Sequence, residues 1–204
     1  MRDRDLVRLY WPVALRPAFD ALFGIDDALA EIVASSTQPA LGAIRLAWWR
    51  EALERLDTSP PPPEPRLQAV AAELLPRGIS GADLAKLEAG WAALFEETRD
   101  PDRIGARGAT LFAIGARLLG ATDSRLDAAG RLFACADAAR RWLAPMEQAS
   151  EPALAGHRFA RRLRPLTALA RLSARDVRRG FGEPEATPGR AAALLGHRLT
   201  GRIA

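Results

Sequence analysis

Residues 104–119 read IGARGATLFAIGARLL, and the reading of this stretch decides the fold class. Its apolar residues recur with helical rather than strand-like periodicity. Gly105, Gly108, Ala109, Ala113, Gly115 and Ala116 place small residues down one side. Small residues let two helices approach closely, so this helix is predicted to be central. The same period extends outward in both directions. Toward the C-terminus, Asp123-Ser124 opens a helix from Leu126 to Leu143, His157–Arg179 is predicted helical with a break at Pro165, and Thr187–Leu199 follows. Toward the N-terminus, Ser80 has the character of an N-cap for a long helix through Leu84, Leu87, Trp91, Leu94 and Phe95, which Asp100-Pro101 ends. Before it lie a short helix over 67–75 and the proline run Pro60–Pro63, a stiff extended connector within 59–65. Gln38–Leu56 is a helix with Leu41, Ile44, Ala47, Trp48 and Leu56 among its apolar residues. Arg16-Pro17 opens another, running past Glu31 to the Ser35-Ser36-Thr37 cluster. Leu6, Leu9, Tyr10, Val13 and Leu15 suit a first helix interrupted near Pro12. The one Val/Ile cluster, Ile32-Val33, is too short for a strand, and no fixed-period repeat is visible. The expectation is a single all-α domain spanning 1–204, a bundle of about eight to nine helices.

Composition narrows the function classes. The chain has 204 residues, 49% apolar and 26% charged, which is enough for a sizeable core and excludes general disorder. No uncharged apolar run approaches the length of a membrane span. Acids within Met1–Asp5 argue against a signal or transit peptide, so the expected location is cytoplasmic, with peripheral membrane contact open. A single cysteine, Cys135, excludes an internal disulfide framework and a Cys-based metal cluster. His157 and His197 leave little for zinc chemistry or a triad. Lys86 is the one lysine, so arginine carries the basicity; this Ala/Arg-rich habit reads as codon composition, and the pI of 10.4 accompanies an excess charge of only +4.

More specific are Asp5-Leu6, then Arg16-Pro17-Ala18-Phe19-Asp20-Ala21-Leu22-Phe23, and Leu41-Gly42-Ala43-Ile44-Arg45-Leu46-Ala47-Trp48-Trp49-Arg50. These stretches resemble the squalene/phytoene synthase family, most closely its divergent branch that includes a mitochondrial complex I assembly factor. Leu84–Glu97, Gly108–Gly120 and Arg164–Ala170 extend the similarity over most of the chain. The resemblance implies an all-α isoprenoid-synthase-like bundle around a central cavity, here shortened after Pro145. Active members join two prenyl diphosphates head to head, using two Asp-rich helical motifs that face each other. Carboxylate-held Mg²⁺ neutralises the diphosphate as the C–O bond ionises.

Only part of that apparatus is present. Asp26 and Asp27 fall where the first two aspartates of D-D-x-x-D would lie, but the third position is Ala30. Asp27 and Glu31 share a helix face at i, i+4; the resemblance makes Asp26, Asp27 and Glu31 the candidate remnant of a metal site, and the plainer reading, an exposed acidic turn of helix, is the one expected. Where the second motif should follow Ala136–Arg141, the chain offers Trp142, Leu143, Ala144, Pro145 and Met146; Asp137 is expected to pair with Arg140 or Arg141 on its own helix. No catalytic or cofactor-binding residue is assigned and no cofactor is expected, with Mg²⁺ required if activity remains. Of Trp48 and Trp49, one should be buried and one half-buried, and Cys135 should act as a small buried hydrophobe.

Between His157 and Arg179, eight arginines face a single acid, Asp176. Arg171, Arg175, Arg178 and Arg179 fall on one helical stripe, either a solvated or salt-bridged face or a contact for an anionic membrane or a diphosphate-bearing lipid. Nucleic acid is not expected, because aromatics are almost absent from the stretch. Three functions remain in view. One is a non-catalytic family member acting in assembly, lipid handling or interaction with a protein partner or prenyl lipid. The second is an active or partner-dependent prenyltransferase, and the third an Arg-rich membrane binder.

Overall fold

Proline begins helices in this chain rather than breaking them. The computed structural model describes residues 2–141 and 152–203. Among them are ten α-helical segments: α1 (Asp3–Arg8), α2 (Arg16–Ser35), α3 (Pro39–Arg55), α4 (Pro65–Glu73), α5 (Gly81–Ala85), α6 (Leu87–Ala92), α7 (Pro101–Leu119), α8 (Leu126–Arg140), α9 (Arg164–Arg179) and α10 (Pro188–Thr200). Proline occupies the first turn of α2, α3, α4, α7, α9 and α10, where its missing N–H has no helical partner to lose. Side chains of Glu64, Ser80, Asp100 and Thr187 accept from the first-turn amides of α4, α5, α7 and α10. Gly120 and Gly201 end α7 and α10 in the left-handed conformation.

The all-α expectation holds: the described residues contain no strand, only an isolated bridge between Arg158 and Arg202. Three boundaries differ from the periodicity. The long helix expected from Ser80 is bent, with α5 and α6 meeting at Lys86, whose backbone stays helical (φ −61°, ψ −20°). Counted as one bent helix, they bring the total to nine. The central helix starts three residues earlier than expected, at Pro101, because Asp100 caps it. Residues 157–163 are not helical, and α9 begins at Arg164 with Pro165 in its first turn. Leu143 and Pro145 lie outside the described residues.

Helices α6 to α10 form a chain of neighbours, α7 packing most extensively on α8 and α8 then on α9, while α2 lies against α3, α4, α6 and α7. The α7–α8 crossing is a backbone contact: a Cβ on Gly108 would lie 1.9 Å from the Gly130 carbonyl oxygen. The small-residue side of α7 therefore has the use expected of it. Helix α2 is buried on most of its circumference, through residues such as Phe19, Leu22, Ile25, Leu29 and Ile32. This burial carries Asp26 into the interior. No helix among the described residues is long and apolar enough to cross a membrane.

Candidate functional site

The polar centre is built where α2, α6, α7 and the end of α8 meet. Asp26 is 2% exposed and lies among the apolar side chains of α2. It receives Trp91 Nε1 from α6 at 2.9 Å and Arg107 Nη1 from α7 at 2.8 and 2.9 Å to its two carboxylate oxygens. Arg107, as buried as Asp26, also donates from Nη2 to Asp137 of α8 at 3.1 Å and to the Ala134 carbonyl at 3.3 Å. Its guanidinium lies 3.9 Å from the Trp91 ring centroid, a cation–π stack. Gly90 makes room for it, since a Cβ there would lie 2.5 Å from Arg107 Cβ.

The network continues outward. Arg141 donates to Asp137 at 2.9 Å and pairs with Asp27 at 3.5 Å, and Asp27 also receives Arg4 from α1. The resulting order is Arg4, Asp27, Arg141, Asp137, Arg107, Asp26, with cations and anions alternating. Burial pushes the Asp137 carboxyl upward, but Arg141 and Arg107 outweigh it and hold the group below its usual value. Burial likewise disfavours the Arg141 cation, and Asp137, with Asp26 and Asp27 nearby, more than compensates.

A second alternating network ties the far end of the bundle. Arg190 of α10 is 1% exposed and binds Asp3 of α1 at 2.8 and 2.9 Å through Nε, and Asp176 of α9. Arg140 of α8 joins Asp176 at 2.6 Å, and Arg175 holds Glu183 at 2.6 Å. The Arg175 hydrogen bond brings the Glu183 carboxyl down to about 2 against the opposing effect of burial. Between the two networks, a cavity of about 220 Å³ is walled by Phe133, Ala136, Leu169, Leu172 and Ser173 together with their charged members.

The sequence-predicted residues divide. Asp26 and Asp27 join the polar centre, whereas Glu31 is exposed and pairs with Arg66 of α4 at 2.8 Å. The exposed-acidic-turn reading fails for Asp26, because α2 is embedded rather than lying on the surface. Asp137 does pair with Arg141 on its own helix, but Arg140 reaches across to Asp176. Arg107 and Trp91 were missed as partners of Asp26. The available signal was an arginine in the middle of a helix otherwise read as small, apolar and central. Trp142 to Met146, where the second motif was sought, lie outside the described residues.

The arginine stripe is split. Arg175 is tied to Glu183 and Arg171 donates to the Ile203 carbonyl at 2.6 Å; Arg178 and Arg179 are exposed, and Arg178 also interacts within the protein. Trp49 is buried, whereas Trp48 (48%), Leu41 (55%) and Ile44 (65%) are exposed, so the apolar residues of α3 do not all face the core. Cys135 is only half-buried, and burial raises its thiol.

These residues do not fit a magnesium site. Among the described residues no three His, Cys, Asp or Glu side chains converge to hold a metal ion. The three carboxylates that approach one another are separated by Arg107 and Arg141, which already neutralise them. Breaking such a buried pair costs about 3–5 kcal/mol, which an entering cation would have to exceed. What the arrangement does chemically is hold four helices in register. No protein-family model matches the chain, and comparison with curated proteins and with solved structures gives no match either.

Proposed function

We propose that this chain is a non-catalytic helical protein of the squalene/phytoene synthase type, acting in assembly, lipid handling or interaction. The supporting observation is the position of Arg107, whose guanidinium bridges Asp26 and Asp137 with the indole of Trp91 against its face. A diphosphate departing from an allylic carbon needs divalent cations held by carboxylates that have no other partner. Here a fixed monovalent cation stands among them, and its guanidinium cannot be deprotonated. Removing one well-placed electrostatic stabiliser commonly costs about 10²–10³ in rate, and this centre would lack several.

The test is incubation of the purified chain with farnesyl or geranylgeranyl diphosphate and Mg²⁺, measuring diphosphate release and the thermal midpoint. The expected result is no release above buffer and no Mg²⁺-dependent rise in the midpoint. Release that disappears in Asp27→Asn, a partly exposed position whose substitution should leave the fold intact, would overturn the reading.

A further inference from the structure

The interior arginines each meet a carboxylate, but one group does not. A cavity of about 400 Å³ opens between the turn after α1, the start of α9 and α10, lined by Tyr10, Arg161, Arg164, Leu194, Arg198 and Leu199 among others. Among the described residues, no carboxylate lines it. Arg164 is held in place by the last carbonyls of α10, donating to Arg198 at 2.8 Å and Leu199 at 3.0 Å. Arg198 lies 4.9 Å from the Tyr10 ring centroid. Exposed Arg161 and Arg162 and the rim arginine Arg198 make no ion pair among the described residues. Burial, then the neighbouring Arg161 and Arg158 charges, lowers the Arg164 guanidinium from its usual value, the reverse of Arg175 and Arg190, which have acid partners.

Beside these cations the surface is apolar. Leu9 (67% exposed) and Val13 (73%) stand on either side of Tyr10 in the chain, and Leu195 (53%) and Leu199 (70%), the latter lining the cavity, stand one turn apart on α10. They are four of the seven large apolar side chains that the described surface exposes. Exposed leucines around a set of unneutralised arginines match an interface with fatty chains below and phosphates above. Free phosphate would use the cations but leave the leucines in water.

We propose that this face docks on an anionic phospholipid membrane, with a headgroup phosphate in the Arg161–Arg164–Arg198 cavity and Leu195 and Leu199 entering the interfacial layer. The site is distinct from the polar centre and does not depend on how that centre is interpreted. It also differs from the α9 stripe, where Arg171, Arg175 and Arg178 all interact within the protein.

Sedimentation of the purified chain with phosphatidylglycerol or phosphatidylcholine vesicles tests it. Binding to phosphatidylglycerol at low ionic strength, reversed by salt, with none to phosphatidylcholine, is expected. Arg161→Ala/Arg198→Ala should weaken it by about tenfold or more, and Leu199→Asp should weaken it as well. The charge-matched pair Arg45→Ala/Arg50→Ala, exposed on α3, should bind as the parent does. Circular dichroism checks that each variant is folded. Absence of sedimentation with phosphatidylglycerol at low salt overturns the proposal. Equal losses in the two double variants would mean diffuse charge rather than a site. Displacement by millimolar inorganic phosphate, with Leu199→Asp unchanged, would make it a soluble-anion pocket instead.

Discussion

Arg107 is the residue on which the interior depends most directly. It satisfies two carboxylates, one carbonyl and an indole face from three helices at once. Arg107→Ala should therefore cost about 3–5 kcal/mol, because Asp26 would remain buried without its cation. Arg107→Lys should recover only part of this, since an ammonium cannot bridge both carboxylates in the same planar geometry or stack on Trp91 in the same way. Replacing Asp26 and Arg107 together by Leu and Met should be far less damaging than Arg107→Ala, because no charge is then left stranded. Urea unfolding of the four proteins measures this. If Arg107→Ala unfolds at the parent's midpoint, the bridge contributes no net stability.

At the scale of elements, the α7–α8 contact rests on two facing glycines. Gly108→Ala would place a methyl 1.9 Å from the Gly130 carbonyl oxygen, and Gly130→Ala one 2.3 Å from that of Gly108. Either substitution has to move a helix backbone, so each should destabilise by at least about 1–3 kcal/mol. Gly196→Ala, exposed on α10 with nothing within 4 Å of the added carbon, should instead stabilise by about 0.5–1 kcal/mol through helix propensity. Thermal midpoints moving in opposite directions would confirm the contrast. The element pattern was well marked in the sequence, because prolines, caps and the small residues of α7 are local signals. Period alone could not tell which face of α3 is covered, and Leu41, Ile44 and Trp48 prove exposed. Likewise, Asp26 and Arg107 are separated by 81 positions, and nothing local to either names the other. The acidic pair was found from sequence, but the cation that neutralises it required the fold.

Across the whole molecule, the two alternating networks join the first helix to the last and the second to the seventh and eighth, so acid should dissolve the fold as a unit. Glu183 titrates at about 2 rather than 4.5, held by Arg175, and Asp83 at about 2 rather than 3.8, held by Arg117 and Lys86. Asp137 is lowered as well. A carboxyl depressed in the folded state takes up its proton more readily once unfolded. Its stabilisation is thus complete above the unfolded value and lost as the pH falls through the folded one. The steep loss belongs between about pH 4.5 and 2. His197 adds a shallower step above it. Burial lowers its imidazole from 6.5, opposed by the Arg202 carbonyl and reinforced by Arg171. The neutral ring is therefore the folded form, and stability declines as the pH drops below 6.5. Denaturant midpoints at pH 7.5, 5.5, 4 and 3 should fall gently over the first interval, begin to steepen over the second and fall most sharply over the last. His197→Gln should lessen the loss that sets in as the pH drops below 6.5, and Glu183→Gln should reduce the loss at the acid end. A midpoint constant from pH 7.5 to 3 would mean that these ion pairs fix helix register without adding net stability.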